Sequence, residues 1–428
     1  MICLSSRTGR SCQFDTFVLL VFCCVLSTTA WSQDSVPQQF KGNLHTHSHW
    51  SDGDDYPEMI AKWYRDHGYH FLTFTDHNML QSQDRWIDVG KSKGGMRAYE
   101  KLKKTFPDWM NERTEDGRLK VRLKKFDETR ERLEKPGEFI LIHGEEISDQ
   151  FDKKPLHLNV SNIKEIIRPV GGTSVREVLQ NNINAVISQR ERTKQPMMIH
   201  VNHPNFGSAI TERDLMLLVG EKFFEVYNGH PGVHNSGTKT ALPTERMWDI
   251  ILAMRLGVLE LPVMYGIAVD DGHNYHDIPS RGSEPGRGWV MVMAEELSPG
   301  SLIEALEAGR FYGSSGVKLR NVVANEKSLT VELEPQDNTT FTVEFIGTLK
   351  RDLPDIGASK DQSHKWSDKI GRVLSKATVP SGTLTYNFTG EEVYVRARIT
   401  SSKKHPNPSE PGEYERAWVQ PISRITAK

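Results

Sequence analysis

The sequence predicts an α/β barrel of parallel strands followed by an antiparallel β-sandwich. Apolar strands alternate with amphipathic helices over residues 40–317, which is the pattern of a parallel barrel. Acidic residues and histidines gather at the carboxyl ends of these strands, where such barrels carry their sites. From Lys318 onward the apolar residues recur with a period of two. Examples are Phe341, Val343 and Phe345, and the turn-rich stretches between such segments are typical of a β-sandwich.

Length and composition set broad limits on the function. The chain has 428 residues, which suggests two to three domains. It is 37% hydrophobic and 26% charged, with a net charge of −2, as in an ordinary globular protein. No basic surplus indicates a nucleic-acid partner, although a local basic patch stays open.

The first 32 residues predict a secretory signal, followed by a linker over residues 33–39. Arg7 and Arg10 precede an apolar run, Phe17–Leu26, and small residues follow as at a cleavage site. The run is too short to span a bilayer comfortably, so we expect no transmembrane span in the mature chain; a retained N-terminal anchor is the alternative. We therefore expect an exported protein, periplasmic or extracellular. All four cysteines fall in this segment, which removes thiolate ligands and cysteine nucleophiles from the mature chain.

The first strand and helix of the barrel have clear boundaries. The strand runs from about Phe40 to His47, and Pro57 suits the first turn of the helix. The helix has one apolar face, in which we include His67, and Gly68 ends it.

The second strand, residues 69–75, leads to Asp76 and His77. A highly charged segment, residues 88–137, then interrupts the alternation. We interpret it as solvated helices inserted between barrel elements. The alternative is a lid whose positive charge helps to hold an anionic substrate.

The later strands also end in acidic residues and histidines. Because the residue before a proline is excluded from the helical region, His203 lies where a strand becomes a loop. The later elements that we predict are strands 138–147, 156–160, 196–203, 223–227, 261–269 and 289–293, and helices 174–189, 212–219, 244–256 and 299–308.

The first strand ends in a pattern that predicts a metal site. His45 and His47 are two residues apart on an extended strand, so both imidazoles point to one side and can bind one ion. Asp52, in a Ser-Asp-Gly turn, can add an oxygen ligand. A polar loop with incidental histidines is the alternative. Fourteen of the sixteen histidines lie between His45 and His276, which favours the metal site.

Residues 40–317 resemble the PHP (polymerase and histidinol phosphatase) domain family in the order of their motifs. The resemblance implies a distorted seven-stranded TIM-like (β/α) barrel that holds two or three divalent transition-metal ions and hydrolyses phosphoesters. The motifs that carry it are His45-Thr-His47 with Ser51-Asp-Gly53, Thr75-Asp-His77, Gly144-Glu-Glu-Ile-Ser148, His157, His203-Pro204 and Asp271-Gly-His273.

Position by position, the resemblance implies nine metal ligands. Glu146 is preferred to Glu145 because the family glutamate stands two residues after the glycine, and only one of two adjacent strand residues can face the centre. The family ligand is the histidine before proline, which leaves His200 as a strand residue with a satisfied ring. The nine are His45, His47, Asp52, His77, Glu146, His157, His203, Asp271 and His273.

Other residues are candidates for supporting roles. Asp76 and Asp270 could orient ligand imidazoles, with turn capping as the alternative for each. Arg287, in a glycine-flanked loop after the last ligand motif, is a candidate phosphate contact, and Arg281 is a second; plain surface arginines are the alternative. Five histidines have no place in the motif pattern and could donate a proton or contact substrate: His49, His143, His230, His234 and His276.

These observations predict an exported metal-dependent phosphoesterase that cleaves a phosphomonoester or phosphodiester with metal-activated water. Three carboxylates against two or three divalent ions leave a net positive site, which favours a small anionic substrate. Zinc, manganese and iron all suit the nitrogen and oxygen ligands. The alternatives are hydrolysis of a carboxylic or carbamate ester at the same centre, and a non-catalytic envelope protein that binds metal or ligand. The β-sandwich, residues 318–428, is expected to serve in docking or in stabilisation.

Overall fold

The computed structural model describes residues 38–354 and 365–423, and these form one mixed α/β unit. The predicted signal segment and residues 33–37 of the linker lie outside the described residues. Among the described helices, none combines the length and the apolar character that crossing a bilayer requires.

The strands of the described residues are β1 (Gln38–Asn43), β2 (Phe71–Phe74), β3 (Trp86–Asp88), β4 (Glu112–Glu115), β5 (Arg118–Arg122), β6 (Ile140–Phe151), β7 (Lys154–Ser161), β8 (Met198–Val201), β9 (Phe223–Asn228), β10 (Tyr265–Val269), β11 (Trp289–Ala294), β12 (Phe311–Ser314), β13 (Leu319–Ala324), β14 (Ser328–Leu333), β15 (Phe341–Leu349), β16 (Arg372–Val379), β17 (Gly382–Asn387), β18 (Glu392–Lys404) and β19 (Tyr414–Ile422). The helices are α1 (Pro57–Asp66), α2 (Gly95–Thr105), α3 (Phe126–Leu133), α4 (Val175–Thr193), α5 (Glu212–Leu215), α6 (Thr244–Gly257) and α7 (Pro299–Glu307).

One large sheet runs through the molecule in the order β10-β9-β8-β7-β6-β2-β1-β11-β12-β19-β18-β15-β16. Strands β1, β2 and β6 are parallel, as are β8, β9 and β10, but β7 is antiparallel to both of its neighbours. The prediction of parallel strands throughout is therefore wrong at β7, and it is also wrong at β11, which pairs antiparallel with β1. The reason at β7 is the two-residue turn between β6 and β7, where Asp152 and Lys153 both have positive φ (48° and 62°). Such a turn joins antiparallel strands only.

The hydrogen bonds do not show a closed barrel. Among the described residues no ladder joins β10 to β1. A single parallel bridge, Thr46 with Gly272, connects the segments that follow these two strands. Strand β10 lies at the edge of the sheet. Its carboxyl end therefore meets the carboxyl end of β1, and the loops that follow these two strands lie together.

Helix α1 begins and ends close to the predicted positions. Pro57 occupies its first turn, Ile60 and Tyr64 are fully buried, and Gly68 follows its end with φ of 72°. The interpretation of His67 as a packed residue is wrong: its ring is exposed and stacks on Trp63 at the surface.

The charged segment between β2 and β6 packs against the core of the molecule. It contains a small antiparallel sheet, β3-β5-β4, besides helices α2 and α3. Tyr99 and Leu102 of α2 belong to the same buried apolar cluster as Trp50 and Tyr56, which flank the Asp52 turn. The segment therefore supports this turn from outside.

The C-terminal strands continue the main sheet. Strand β19 pairs with β12, with Tyr312 opposite Val419. A second antiparallel sheet, β13-β14-β17, shares a buried apolar cluster with β15, β18 and β19. Asp249 of α6 also binds Arg396 of β18 through two hydrogen bonds of 2.8 Å. The strands beyond residue 318 thus pack on the preceding part of the chain, and the predicted domain boundary there stays a prediction.

Candidate metal centre

The structure brings all nine predicted ligands together at the carboxyl ends of the strands and on β6 and β7. Each belongs to a group of at least three side chains whose possible ligand atoms lie within 4.8 Å of one another. Their role as metal ligands stays a prediction. The groups are His47/Asp52/His77/His273, His45/His203/Asp271, His45/His47/Glu146, His77/Glu146/His157 and His45/His200/Glu225.

Glu146 is the central carboxylate. It is fully buried on β6, where its Oε2 lies 2.8 Å from His77 Nδ1 and 3.2 Å from His47 Nε2. Its Oε1 lies 2.9 Å from His157 Nδ1 and accepts a hydrogen bond of 2.8 Å from Asn202 Nδ2. One carboxylate thus faces three imidazoles and is oriented by one amide.

Asp271 supplies a second buried carboxylate. Its Oδ1 lies 3.2 Å from His45 Nε2 and 3.3 Å from His47 Nε2. The residue has φ of 52°, a left-handed conformation that aspartate tolerates better than most residues. Backbone strain of this kind is common at functional sites because the surroundings must enforce it.

Asp52 is the most exposed of the three predicted acidic ligands, with 40% of its side chain accessible. Its Oδ1 lies 3.3 Å from His273 Nε2 and 3.5 Å from His77 Nε2. Its Oδ2 accepts a hydrogen bond of 3.2 Å from Lys93 Nζ. Asp52 therefore joins the centre from the side of the inserted segment.

The electrostatics of the cluster favour a bound cation. Burial opposes ionisation of Glu146 and Asp271, yet the surrounding imidazoles hold the pKa of both carboxyls well below the usual range. Burial also opposes the charged form of His77, but Glu146 and Asp52 raise its pKa to about 9. Without an ion, protons supply the positive charge that these carboxylates require. A metal ion would replace those protons.

The residues fit divalent transition metals. Glu146 Oε2, Asp52 Oδ1 and His157 Nδ1 are buried and lack a hydrogen-bond partner of regular geometry within the described part of the chain. Buried polar atoms are rarely left in this state, and a bound ion is one explanation. Imidazole nitrogens and carboxylate oxygens are the ligands that zinc, manganese and iron accept.

Glu225, at the centre of β9, is a site residue that the sequence reasoning missed. Its Oε1 accepts a hydrogen bond of 2.7 Å from His45 Nδ1, and its Oε2 accepts one of 2.7 Å from the backbone N–H of His203. Burial opposes its ionisation, but the histidines lower its pKa to about 2. The available signal was a lone glutamate inside an apolar strand, because a buried carboxylate needs partners.

His200 is only partly satisfied, which corrects the prediction for its ring. It is fully buried on β8, and its Nε2 lies 3.2 Å from Glu225 Oε1. Its Nδ1 has no hydrogen-bond partner among the described residues. The rings of His200 and His45 therefore both contact Oε1 of Glu225.

Asp76 does not orient an imidazole in this structure. Its Oδ1 accepts hydrogen bonds from the backbone N–H of Ser48 (2.8 Å) and from Ser51 Oγ (2.6 Å). Its Oδ2 accepts one of 2.9 Å from Gln81 Nε2. Asp76 thus holds the turn that precedes Asp52, which corresponds to the turn-capping alternative.

Asp270 does not contact an imidazole either. Its Oδ1 accepts hydrogen bonds from the backbone N–H groups of Arg287 (2.6 Å) and Gly288 (2.8 Å). Its Oδ2 accepts one of 2.9 Å from the Tyr64 hydroxyl. The prediction of an imidazole-orienting role is therefore wrong. Both oxygens of this carboxylate accept other hydrogen bonds, and those to Oδ1 hold the loop that follows β10.

Arg287 is not a free phosphate contact. Its side chain is 1% exposed, and Nη2 donates to Glu284 Oε2 and Asn407 Oδ1, both at 3.0 Å. Nη1 donates to the carbonyl oxygen of Gly229 at 2.8 Å. The guanidinium is thus used in joining loops, which corrects the predicted role. Arg281 is exposed and does not line the cavity described next.

A cavity of about 260 Å³ opens on the cluster. Of the five histidines outside the motif pattern, His230 alone lines it. The lining residues are Asp52, His77, Lys93, Glu146, His157, His203, Phe206, His230, Asp271, His273, Asn274 and Ser283.

No protein-family model matches the sequence, and no curated protein does. Several solved structures show a distant likeness, including the three that follow. A two-domain protein from Bacteroides vulgatus containing a predicted PHP-like metal-dependent phosphoesterase is 16% identical, with a TM-score of 0.41, and the alignment covers 91% of this chain and 99% of that chain. PsfC from Pseudomonas syringae is 13% identical, with coverage of 60% and 83% and a TM-score of 0.30. An amidohydrolase from Chromobacterium violaceum is 12% identical, with coverage of 55% and 88% and a TM-score of 0.28.

Proposed function

We propose that this chain is an exported metal-dependent hydrolase of the PHP type that cleaves a small phosphomonoester or phosphodiester. One observation carries the proposal: Glu146 faces His47, His77 and His157 within a set of nine nitrogen and oxygen ligands. A single ion needs four to six ligands, so nine are enough for two or three ions that share the central carboxylate. Zinc, manganese and iron are the candidate metals.

The ions would make the cavity suitable for an anionic ester. Divalent ions in such a centre lower the pKa of a bound water to about 7 and neutralise phosphoryl oxygens. Two of them balance the charge of the four carboxylates, Asp52, Glu146, Glu225 and Asp271, and three exceed it. Lys93 at the cavity wall adds a further positive charge. The residues of the cavity therefore select a small substrate with negative charge.

The lining residues favour water over a side chain as the nucleophile. Ser283 contributes the one hydroxyl among the lining residues, and it donates its hydrogen to the carbonyl oxygen of Asp271. The sequence provides no cysteine beyond residue 24. A covalent intermediate on serine or cysteine is therefore not part of the proposal.

A second candidate is hydrolysis of a carboxylic or carbamate ester at the same centre. The supporting observation is that no arginine lines the cavity among the described residues, and that Lys93 is paired with Asp52. Many phosphate sites use arginine, whose fork matches the phosphate oxygens. An ester with less charge would need fewer cationic side chains.

We assign a stabilising role to the C-terminal strands. Asn407, which lies between β18 and β19, accepts two hydrogen bonds from Arg287, and Arg287 also binds the loop after β9. The loop that follows β10 is thereby tied to the C-terminal part of the chain. Docking to a surface or partner stays a proposal without a contact to support it. Export is proposed from residues 1–32 alone, and sequencing the N-terminus of the secreted protein tests it.

The discriminating experiment compares chromogenic esters. The purified mature protein, loaded with Mn²⁺ or Zn²⁺, is given p-nitrophenyl phosphate, bis(p-nitrophenyl) phosphate and p-nitrophenyl acetate. The proposal predicts hydrolysis of a phosphate ester, with Glu146→Gln at least 100-fold slower, roughly the loss of several kcal/mol of metal-dependent stabilisation. Glu131→Gln, at an exposed position of α3, is the control.

The outcome also separates the alternatives. If the protein hydrolyses the acetate ester faster than the phosphate esters, and Glu146→Gln abolishes that hydrolysis, the result would support carboxylic or carbamate ester hydrolysis. No metal-dependent turnover of any ester would support a binding protein instead and contradict both hydrolase proposals.

A further inference from the structure

His230 lines the cavity but has the opposite hydrogen-bond polarity from the predicted ligand His45. The Nδ1 of His230 accepts a hydrogen bond of 2.9 Å from the backbone N–H of Gly232. A ring nitrogen that accepts a hydrogen bond carries no proton of its own. The proton of the neutral His230 ring therefore lies on Nε2. The Nδ1 of His45 instead faces the carboxylate of Glu225 and donates to it, which leaves Nε2 as the nitrogen that would bind an ion.

This polarity excludes His230 as a metal ligand. A ligating histidine binds the ion with one nitrogen and donates the hydrogen of the other. If His230 bound an ion through Nε2 while its Nδ1 accepted from Gly232, the ring would have to lose both protons. His230 can therefore offer a hydrogen to the cavity, but not a lone pair.

The ring is held in place by its neighbours. It meets Phe206 edge to face with ring centres 5.7 Å apart, and it meets His273 in the same way at 5.7 Å. A Cβ on Gly232 would lie 3.1 Å from both Cε1 and Nδ1 of His230, so a larger residue there would push the ring by a few tenths of an ångström. The backbone N–H of His230 donates to Asn228 Oδ1 at 2.8 Å.

The Nε2–H has no partner within the described part of the chain. No hydrogen bond of this atom occurs there, although the other polar contacts of the residue are satisfied. A preorganised donor in a cavity next to cation-binding residues is suited to an anionic oxygen.

We propose that His230 is a substrate-binding residue whose Nε2–H donates a hydrogen bond to an anionic oxygen of the substrate. The inference rests on the proposed function, because it takes the anionic group to be the one that the metal centre attracts. The same contact would hold the phosphate product.

Two substitutions at His230 distinguish the role of Nδ1 as an acceptor from the role of Nε2–H as a donor. Asparagine can accept from Gly232 at the position of Nδ1 but lacks a donor at Nε2, whereas glutamine can place an amide N–H near Nε2. His234→Asn is the matched control, because His234 lies exposed on the same loop. Each protein is loaded with Mn²⁺ or Zn²⁺, its metal content is determined, and its Kd for inorganic phosphate is measured by calorimetry.

The expected result is that His230→Asn weakens phosphate binding by about tenfold to a hundredfold, the effect of one hydrogen bond to a charged group. Its metal content should stay unchanged, and His230→Gln should bind within about threefold of the wild type. Gly232→Ala, which crowds the ring without removing it, should weaken phosphate binding in the same direction. It serves as the second test if His230→Asn fails to fold.

Three results would overturn the inference: wild-type phosphate binding in a folded His230→Asn or, if that variant does not fold, in Gly232→Ala; loss of metal from His230→Asn; or no phosphate binding by the metal-loaded wild type. Failure of the proposed function looks different. A wild type that binds phosphate through His230 yet hydrolyses no ester would contradict the hydrolase and support the donor role.

Discussion

Glu225 and His45 form a fully buried pair in which Nδ1 of the imidazole donates to Oε1 of the carboxylate at 2.7 Å. The bond fixes a proton on Nδ1 and directs Nε2 toward Oδ1 of Asp271, 3.2 Å away. The other carboxylate oxygen accepts the backbone N–H of His203. One side chain outside the motif pattern therefore positions two predicted ligands.

Glu225→Gln should weaken metal binding by about tenfold to a hundredfold, the usual effect of losing a carboxylate that orients a ligating histidine. The neutral amide has one acceptor oxygen, so either His45 Nδ1 or the backbone N–H of His203 loses its acceptor. A competition titration with a chromogenic chelator measures the affinity. Glu221→Gln is the control, because Glu221 is also buried but lies away from the cavity. Equal affinities for the two variants would contradict this role of Glu225.

Metal binding should stabilise the fold. The crowded carboxylates and imidazoles bind an ion only when the loops after β1, β2 and β10 are in place, so the ion binds the folded state preferentially. At a free concentration of 100 times Kd, one site contributes about 2.7 kcal/mol to the free energy of unfolding. Thermal unfolding with added Mn²⁺ or Zn²⁺, and then with a chelator, measures the change. Asp271→Asn should reduce it, and an unchanged Tm in the wild type would count against the centre.

Arg287→Lys should destabilise the protein without a direct effect on substrate binding. The buried guanidinium pairs with Glu284 and donates to carbonyl oxygens in a fork that lysine cannot reproduce. Disrupting a buried charge network costs about 3 to 5 kcal/mol. Urea unfolding and the KM for an anionic ester are measured together, with Arg281→Lys at an exposed position for comparison. A raised KM with unchanged stability would instead indicate a phosphate contact.

Glu58 should make the protein less stable as the pH rises. Burial raises the pKa of this carboxyl from the usual 4.5 to about 7. Between these two values the folded state holds a proton that the unfolded state releases, so the free energy of unfolding falls as the pH rises from 4.5 to 7. Glu58→Gln removes the penalty. The variant should be more stable than the wild type by roughly 3 kcal/mol at pH 8 and nearly equal at pH 4.5.

Urea unfolding of both proteins at these two pH values tests the prediction. Because the variant and the wild type share the same metal centre, its pH dependence cancels in the difference. A difference in stability that does not change between pH 4.5 and pH 8 would show that Glu58 does not titrate in this range.

The resemblance in motif order predicted which side chains meet, and those at strand ends are also readable from local patterns. His77 and His203 follow apolar strands, and such ends converge in a sheet of parallel strands. Strand direction was less accessible, since the β6–β7 hairpin depends on Asp152 and Lys153 adopting positive φ, and the turn carries no glycine to signal it.

Contacts between distant segments could not be predicted from local patterns. Arg287 resembles a loop residue in the sequence, but its partner Asn407 lies 120 residues further along the chain. Glu225 was missed because attention to strand ends overlooks a carboxylate in the middle of a strand. Its contacts with His45 and with the backbone of His203 come from the packing of neighbouring strands, which local patterns do not show.

The most direct test of the metal centre is elemental analysis of the purified protein after loading with Mn²⁺ or Zn²⁺ and removal of free metal by gel filtration. The account predicts two or three ions per wild-type chain and at least one ion fewer in Glu146→Gln. The reason is that this carboxylate faces three imidazoles, one after β1, one after β2 and one on β7. A wild-type chain that retains no metal, or a Glu146→Gln variant with the full complement, would contradict it.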